Sequence, residues 1–261
     1  TDRAEEITSR NCPDRSLRVM GVFREGGGAH ALWMNDTRAG FIDKWLELGR
    51  QGLRLIDLKI VGSGEARRYS GVFRQGGGGY ALWLDDSRSG FIDKWQDLGT
   101  KGLRLIDLEI TGEGSRRRYS GVFRQGGGSY ALWLDDTRDG FIGKWRELSG
   151  AGLRLIDLEI TGDGAGRRYS GVFRQGSGGY ALWLDASWDG FVAKWEELGD
   201  LGLRLSDLEL SRSGGNLLYS GVFRQGMGGY CLWNDDFSGF VNRWIDWSAA
   251  GLRLVDIEIA T

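Results

Sequence analysis

The sequence predicts an α+β repeat protein whose units each hold three strands and one helix. The string Gly-Val-Phe-Arg recurs every 50 residues, and one helical pattern and three strand patterns return with it in a fixed order. A period of this length is typical of repeat architectures, in which neighbouring units share a core. We expect a single repeat domain over residues 1–261, with a truncated strand and an inserted loop in 1–16. The units are expected at about 17–66, 67–116, 117–166, 167–216 and 217–261.

The first two strands of each unit are predicted from two apolar runs. In the second copy, Arg68 to Gln75 is rich in β-branched and aromatic residues, and Tyr80 to Leu84 follows after four glycines. Two such runs joined by a short Gly-rich link are typical of a β-hairpin. We therefore expect the first two strands of a unit to pair with each other across a link with positive φ angles.

The helix is predicted from Phe91, Ile92, Trp95 and Leu98, which share one face at helical spacing. A helix is expected over residues 89–99. Its N-caps are expected to be Ser or Thr, and glycines are expected to end it. The expected caps are Thr37, Ser87, Thr137 and Ser187, and the expected stops are Gly49, Gly52, Gly99 and Gly102.

The third strand is predicted over residues 103–110, where apolar and acidic residues alternate. Strict alternation places Ile106, Leu108 and Ile110 on one face. It places Leu105, Asp107 and Glu109 on the other face. A Gly-rich turn over residues 111–115 then leads to the next unit.

Five such units are expected to close into a five-bladed α/β propeller with the helices outside, because neither end of the chain shows a polar capping unit. The alternative is an open solenoid. Closure predicts that residues 5–8 meet the final strand, residues 252–259, at the seam. A disulfide between Cys12 and Cys231 would lock that seam, and it favours a secreted or extracellular location. The chain begins at Thr1 and shows no signal-peptide pattern.

Four motifs of the repeat are Arg-Tyr-Ser-Gly-Val-Phe, Gly-Tyr-Ala-Leu-Trp, Phe-x-x-Lys-Trp-x-x-Leu and Gly-Leu-Arg-Leu-Ile-Asp-Leu. With them, residues 17–261 resemble the bacterial tandem repeat family, whose unit also forms the N-terminal region of fungal polyglycine hydrolases. In those hydrolases a separate β-lactamase-like domain with a Ser-x-x-Lys motif carries the chemistry, and this sequence has no such motif. The resemblance implies an accessory module for recognition.

Composition and motifs argue against several function classes. The net charge is -2, with 34 basic and 36 acidic residues intermixed, so the sequence predicts no nucleic-acid partner. No apolar run reaches the length of a membrane span. The glycine strings lack the helix that a phosphate loop requires, and the Asp/Ser-rich segment near Asp85 is interpreted as a helix cap and not as a calcium loop. His30 is expected to fill the place of a repeated Tyr. We expect no catalytic residues, cofactor or metal, and the oligomeric state stays open.

The recurrent tryptophans form two sets. Trp45, Trp95, Trp145, Trp195 and Trp244 lie on the apolar helix face and are predicted to be core residues. The other set ends the second strand beside carboxylates, and it either packs between units or meets a ligand. A repeated arginine is expected to complete such a site or to pair with an aspartate of the third strand. The candidate set is Trp33, Trp83, Trp133, Trp183, Trp233, Asp36, Asp86, Asp136, Asp236, Arg24, Arg74, Arg124, Arg174 and Arg224, and the candidate aspartate partners are Asp57, Asp107, Asp157, Asp207 and Asp256.

An aromatic ring beside a carboxylate and an arginine is typical of a sugar site. The sequence therefore predicts a non-enzymatic, multivalent, lectin-like binding module with one pocket per repeat, whose weak sites gain avidity together. The alternative is a structural or protein-interaction scaffold without small-ligand sites. The partner is accordingly a glycan or a protein surface.

Overall fold

The computed structural model describes residues 5–7 and 17–260. The chain forms two compact units. One comprises residues 1–80 with 228–261, and the other comprises residues 81–227. Both compact units contain several repeats, each made of three antiparallel strands and one helix.

The described part of the chain has five α-helices. Each has 13 residues and begins after a capping side chain that accepts a hydrogen bond from a glycine N–H. The predicted Ser and Thr caps are confirmed, and the last helix uses Asp236. The helix predicted over residues 89–99 is confirmed as well. The helices are α1 (Arg38–Arg50), α2 (Arg88–Thr100), α3 (Arg138–Gly150), α4 (Trp188–Asp200) and α5 (Phe237–Ala249).

The strands fall into three classes according to their place around the helix. Leading strands precede a helix: β3 (His30–Asp36), β6 (Tyr80–Asp86), β9 (Tyr130–Asp136), β12 (Tyr180–Ala186) and β15 (Tyr230–Asp236). Trailing strands follow it: β4 (Leu53–Val61), β7 (Leu103–Thr111), β10 (Leu153–Thr161), β13 (Leu203–Ser213) and β16 (Leu252–Ala260). Central strands are β2 (Arg18–Glu25), β5 (Arg68–Gln75), β8 (Arg118–Gln125), β11 (Arg168–Gln175) and β14 (Asn216–Gln225), and β1 is Glu5–Ile7.

Each sheet places a central strand between a leading and a trailing strand, antiparallel to both. In one sheet the order is β9, β11, β10, so the central strand follows the trailing strand along the chain. The predicted hairpin between the first two strands of a unit is therefore wrong. The observed hairpin joins the trailing strand to the next central strand across the turn over residues 112–117 and its equivalents.

The glycine strings connect one sheet to the next. The link after β8 leaves the sheet β6-β8-β7 and enters β9 of the neighbouring sheet. Gly128 in this link has φ +79°, which confirms the predicted positive angle. A glycine with positive φ suits a turn of this kind because it has no Cβ to clash with its own backbone. Local sequence patterns could not reveal that this link leaves its sheet.

The first unit of the fold contains a sheet made from both chain ends. β2 is the central strand of the sheet β15-β2-β16, so the start of the chain completes the last sheet. The prediction that residues 5–8 meet the final strand is wrong, because β1 pairs in parallel with β3. Cys12 and the predicted loop lie outside the described residues. The same holds for the predicted disulfide, which requires Cys12. Cys231 lies on β15, where burial raises the pKa of its thiol.

The helix packs on the central strand at a glycine. A Cβ at Gly121 would lie 2.5 Å from Leu105 Cδ1 and 2.9 Å from Phe91 Cζ. Phe91 also stands 6.2 Å from Phe123 between ring centroids, and the rings form a buried cluster with Leu108. The absence of a side chain at Gly121 therefore allows the phenyl ring to approach the sheet closely.

The trailing strand does not alternate strictly, because a β-bulge interrupts it. In β7 the register shifts between Leu105, which pairs with Phe123, and Asp107, which pairs with Val122. The extra residue, Ile106, shifts the alternation, so that Leu105 lies on the face of the strand that packs against the helix. The prediction that Leu105 shares a face with Asp107 is therefore wrong. The equivalent Ile156 packs against the Phe91 cluster of the neighbouring sheet. The bulge thus directs apolar side chains to two cores.

Neighbouring trailing strands are joined through carboxylates. Asp157 Oδ2 accepts the Leu108 N–H at 3.1 Å, and Glu159 Oε2 accepts the Ile110 N–H at 3.0 Å. One repeat later, Asp207 and Glu209 accept the equivalent bonds from the N–H groups of Leu158 and Ile160. In the first unit, Asp57 accepts the Ile257 N–H at 3.0 Å. These acidic residues are buried, because their carboxylates replace a backbone ladder between adjacent sheets.

Gly49 and Gly99 do not end the helices as predicted. Both lie inside the last helical turn, where a Cβ would overlap the hydroxyl of Tyr80 or Tyr130. Gly52 and Gly102, with φ +83° and +77°, lie in the turn beyond the helix as expected. The inner glycines therefore make room for a tyrosine on the next leading strand.

Gly121→Ala is expected to lower the free energy of unfolding by about 1–3 kcal/mol, because the new methyl group overpacks the Phe91 contact. Gly127→Ala is the control, since a Cβ at that position has no neighbour within 4 Å. Urea denaturation of both variants measures the difference. Equal midpoints would contradict the close packing at Gly121.

Asp157→Ala is expected to cost about 1–3 kcal/mol, because it leaves the buried Leu108 N–H without its acceptor. Asp157→Asn retains an oxygen acceptor and should lose less. Urea denaturation and hydrogen exchange at the Leu108 amide provide the readouts, with the exposed Asp93→Ala as control. Unchanged protection of that amide would show that the carboxylate does not hold the strand.

Candidate functional site

A second bulge ends most leading strands. Asn35, Asp85, Asp135 and Asp185 have φ between 58° and 62°, a left-handed conformation that Asn and Asp tolerate better than most residues. The Asp135 N–H donates to Ser170 Oγ at 2.9 Å, so the adjacent central strand satisfies the displaced backbone. The bulge sends Asp135 and Asp136 in different directions.

Asp136 anchors a tryptophan to the start of the helix. Its Oδ2 accepts the Trp133 indole N–H at 2.8 Å, and its Oδ1 accepts the Thr137 backbone N–H at 2.7 Å. The same two bonds form at Asp36 and Asp86. The predicted carboxylates therefore lie beside the predicted tryptophans, where they hold the indole rings in place.

A cation covers part of each indole ring. Lys144 Nζ lies 4.4 Å from the Trp133 ring centroid and 2.6 Å from Glu147 Oε2. Lys44, Lys94 and Lys194 have the same place over Trp33, Trp83 and Trp183. Part of the indole surface still faces solvent, since Trp83 is 36% exposed and Trp183 38%. Packing and ligand access are therefore compatible at these rings.

Two equivalent grooves lie between a helix and the leading strand of the next sheet. The first has a volume of about 250 Å³ and the second about 410 Å³. The first is lined by Arg88, Ile92, Trp95, Leu132, Trp133 and Leu134. The second is lined by Arg138, Ile142, Trp145, Arg146, Leu182, Trp183 and Leu184. Each groove thus combines two indoles and apolar side chains with arginine, of which the first groove has one and the second has two.

Trp95 and Trp145 line these grooves, and most of the helix tryptophans are less buried than predicted. Trp45, Trp95, Trp145 and Trp195 are half-buried, and Trp244 alone of this set is buried, at 2% exposure. Trp95 lies edge-on to Tyr130, with 5.3 Å between the ring centroids. The helical pattern correctly gave the face of Trp95, but it could not show that a groove opens along this face.

The predicted arginines do not join the tryptophans. Trp183 pairs with Gly221, and a Cβ added to Gly221 would point at Phe191 of α4. Arg224 lies three residues further along the same strand and pairs with Tyr180. Alternation along the strand therefore places Arg224 on the opposite face.

Arg74 of the same set donates from Nη2 to Gly27 O at 3.4 Å. Burial and then the neighbouring Arg253 lower the pKa of Arg74. Of the predicted aspartate partners, Asp57 and Asp157 accept hydrogen bonds from backbone N–H groups.

The fifth copy lacks the bulge because it is one residue shorter. Asn234, Asp235 and Asp236 pair in unbroken register with β2, and Met20 stands where other central strands have the bulge-supporting Ser. Asp236, predicted as a ligand-binding carboxylate, is the N-cap of α5 and accepts the Gly239 N–H at 2.8 Å. Arg243 takes the place of the lysine, 4.3 Å from the Trp233 centroid.

A charged cluster that the sequence did not predict lies on the other side of the bulge. Asp135 Oδ2 accepts the Tyr119 hydroxyl at 2.6 Å and Arg88 Nε at 2.9 Å, while Oδ1 accepts Arg117 Nη1 at 2.7 Å. Asp185 repeats the arrangement with Tyr169, Arg138 and Arg167. Burial and the Asp135 carboxylate raise the pKa of Tyr119 to about 12, so its hydroxyl remains a donor. The 50-residue recurrence of these residues was visible, but their convergence was not.

The remaining predicted features are structural. His30 is buried in the place of Tyr, with Nε2 2.9 Å from Ser248 Oγ and its ring 5.5 Å from that of Trp244. Within residues 17–260, no group of three His, Cys, Asp or Glu side chains is arranged to hold a metal ion. Over the same residues, none of the helices is long and apolar enough to cross a bilayer.

Three tandem stretches, residues 77–126, 127–176 and 177–226, match a family model described as polyglycine hydrolase-like, structural repeat. A search of curated proteins found no match. Each matched stretch begins in a glycine link and ends just after a central strand. The family repeat therefore coincides with one sheet and its helix, whereas the predicted units began about ten residues earlier.

Ala186→Asp is expected to raise the free energy of unfolding by about 0.5–1.5 kcal/mol. The new carboxylate should accept the Trp183 indole N–H and the Ser187 N–H, as Asp136 does for Trp133 and Thr137. Asp136→Ala is the reciprocal control and should cost a similar amount. Urea denaturation followed by tryptophan fluorescence measures both. A destabilised Ala186→Asp variant would show that copy four does not accept the bond.

Proposed function

Because this chain belongs to the polyglycine hydrolase-like structural repeat family, we propose that it is a non-enzymatic, multivalent binding module for carbohydrates. The observation that carries the proposal is the pair of tryptophan grooves, at Trp95 with Trp133 and at Trp145 with Trp183. They recur with the family repeat, which is the arrangement expected of a module with one site per repeat.

A sugar suits these grooves for two reasons. A pyranose ring has an apolar face of C–H groups that packs on an indole, and Trp combines a large apolar surface with a polar N–H. The ring hydroxyls then require a few fixed polar groups, which Arg88 supplies at the rim of the first groove. With volumes of about 250 and 410 Å³, the grooves have room for a single sugar ring, so individual sites are expected to be weak and the chain to gain affinity from several sites.

The five sheets are proposed to close into a five-bladed ring. In support, β2 from the start of the chain completes the sheet of the last helix, which ties the two chain ends together. A secreted location and the Cys12–Cys231 disulfide are part of the same proposal. Small-angle scattering tests closure, since an elongated particle favours the open solenoid. Mass spectrometry of the unreduced protein tests the disulfide.

The second candidate is a protein-interaction scaffold. Met227 is 90% exposed and Leu201 is 70% exposed, both larger apolar exposures than those of the groove tryptophans. In this case, the hydrogen bonds that Asp136 accepts and the contact of Lys144 with the Trp133 ring only stabilise the edge of the sheet. A protein pull-down run beside a glycan array distinguishes the two candidates, and capture by the array alone supports the first.

Trp183→Ala is expected to remove one site's share of glycan binding and to leave the fold intact. Trp183 is 38% exposed and, unlike Trp133, has Ala186 where its carboxylate partner would stand. Trp244→Ala is the matched control, because this residue is 2% exposed and its loss should cost about 3–5 kcal/mol. Glycan-array titration and thermal unfolding measure the two effects. A Trp183→Ala variant that unfolds as readily as Trp244→Ala would refute the groove as a binding site.

A further inference from the structure

One arginine lies where two concave surfaces meet, in the compact unit formed by residues 81–227. Arg88 lines the tryptophan groove and also a cleft of about 470 Å³. The cleft is lined by Ser87, Arg88, Gly114, Ser115, Arg117, Arg118, Tyr119, Leu134 and Asp135. A ligand ring in the groove would therefore extend its substituents towards the cleft.

Arg88 has donors left for a ligand. Its Nε is bound to Asp135 Oδ2 at 2.9 Å, and its side chain is 53% exposed. Among the described residues, no hydrogen-bond partner is found for its two terminal nitrogens. The bond at Nε fixes the plane of the guanidinium, so these nitrogens are pre-oriented as the fork that binds a carboxylate or sulfate in two places.

The cleft carries an excess of positive charge. Arg88, Arg117 and Arg118 face one carboxylate, Asp135, which is only partly exposed. Arg118 Nη1 donates to the Arg117 carbonyl at 2.8 Å, which holds it at the cleft wall. An anion placed here meets two more cations than carboxylates, in surroundings where the partly buried charges are less screened than at an open surface.

The architecture does not require these arginines. In copy four, Trp188 stands at the position of Arg88 and Leu217 at that of Arg117. Trp188 packs against Tyr219 there, with 5.1 Å between ring centroids, and the helix and sheet are formed as in the other copies. The arginines are thus a property of particular copies and not a condition of the fold.

We propose that Arg88 and Arg138 make the grooves selective for acidic saccharides, which carry a carboxylate or a sulfate ester on the sugar ring. This inference rests on the proposed function. The ring packs on the indoles of the groove, and the acidic group accepts hydrogen bonds from the terminal nitrogens of the arginine. Arg138 is the weaker of the two, because its Nη1 lies 3.9 Å from Asp139, where copy two has the uncharged Ser89.

Isothermal titration tests the proposal with three matched probes: a neutral glucose tetrasaccharide, the tetrasaccharide of glucuronate, and the glucose tetrasaccharide bearing sulfate esters. At least one acidic probe is expected to bind about tenfold more tightly than the neutral one at low salt. The ratio should fall as salt rises, since screening weakens the ionic contact. The uronate and sulfate arms show which acidic group is preferred.

Two pairs of substitutions should act in opposite directions. Arg88→Gln with Arg138→Gln is expected to weaken acidic binding about tenfold. Neutral binding should fall much less, because Gln keeps an amide N–H that can donate to a sugar hydroxyl but has no charge for an acidic group. Asp135→Asn with Asp185→Asn keeps the arginines but removes the negative charge beside Arg88 and beside Arg138, so acidic binding should strengthen by about three- to tenfold. A purely structural role for the cluster would not produce a gain, and circular dichroism checks that each variant is folded.

The outcomes separate the two proposals. Equal binding of acidic and neutral probes, unaffected by the arginine substitutions, would overturn the selectivity and leave the carbohydrate function standing. Binding of no probe at all would overturn both. Inorganic sulfate that competes as well as the sulfated tetrasaccharide would also overturn the inference, because the sugar ring would then contribute nothing.

Discussion

The structure depends on carboxylates that satisfy the edges of neighbouring trailing strands. A trailing strand has a central strand on one side only, so the N–H groups of its other edge need acceptors where water is excluded. Asp157 and Glu159 supply them to Leu108 and Ile110, and the next repeat supplies them again. Burying a carboxylate is costly unless it is hydrogen-bonded, and here each one replaces a rung of a backbone ladder. Because donor and acceptor are 49 residues apart, the constraint favours the strict period of the sequence.

Two bulges then decide where the side chains point. The bulge at Ile106 sends apolar residues of one strand into two cores. The bulge at Asp135 separates two consecutive aspartates, so that one fixes an indole and the other joins an arginine cluster. A single residue inserted into the alternation thus produces both faces of the candidate site. The fifth copy shows the converse, since the loss of one residue there removes the bulge.

Local chemistry made much of this predictable. Helix faces, Ser and Thr caps and strand positions follow from residues close in sequence, and the structure confirms them. Strand pairing depends on contacts beyond the glycine link, which is why the hairpin was assigned to the wrong pair of strands. The indole and its carboxylate were found together because they lie three residues apart. Arg88 and Asp135 are 47 residues apart, and only the packing of a helix on the next sheet brings them together.

Differences between copies show which features are free to vary. Every copy keeps the glycine of the central strand and the phenylalanine that packs on it, because their contact leaves no room for a methyl group. The residues around the bulge change more: copy four has Trp188 and Leu217 in place of two arginines and Ala186 in place of an aspartate. Since its helix and sheet are formed nonetheless, the arginines that correspond to Arg88 and Arg117 are not needed to build the unit. A repeat whose packing is fixed and whose rim can change is well suited to adjust its binding without altering its fold.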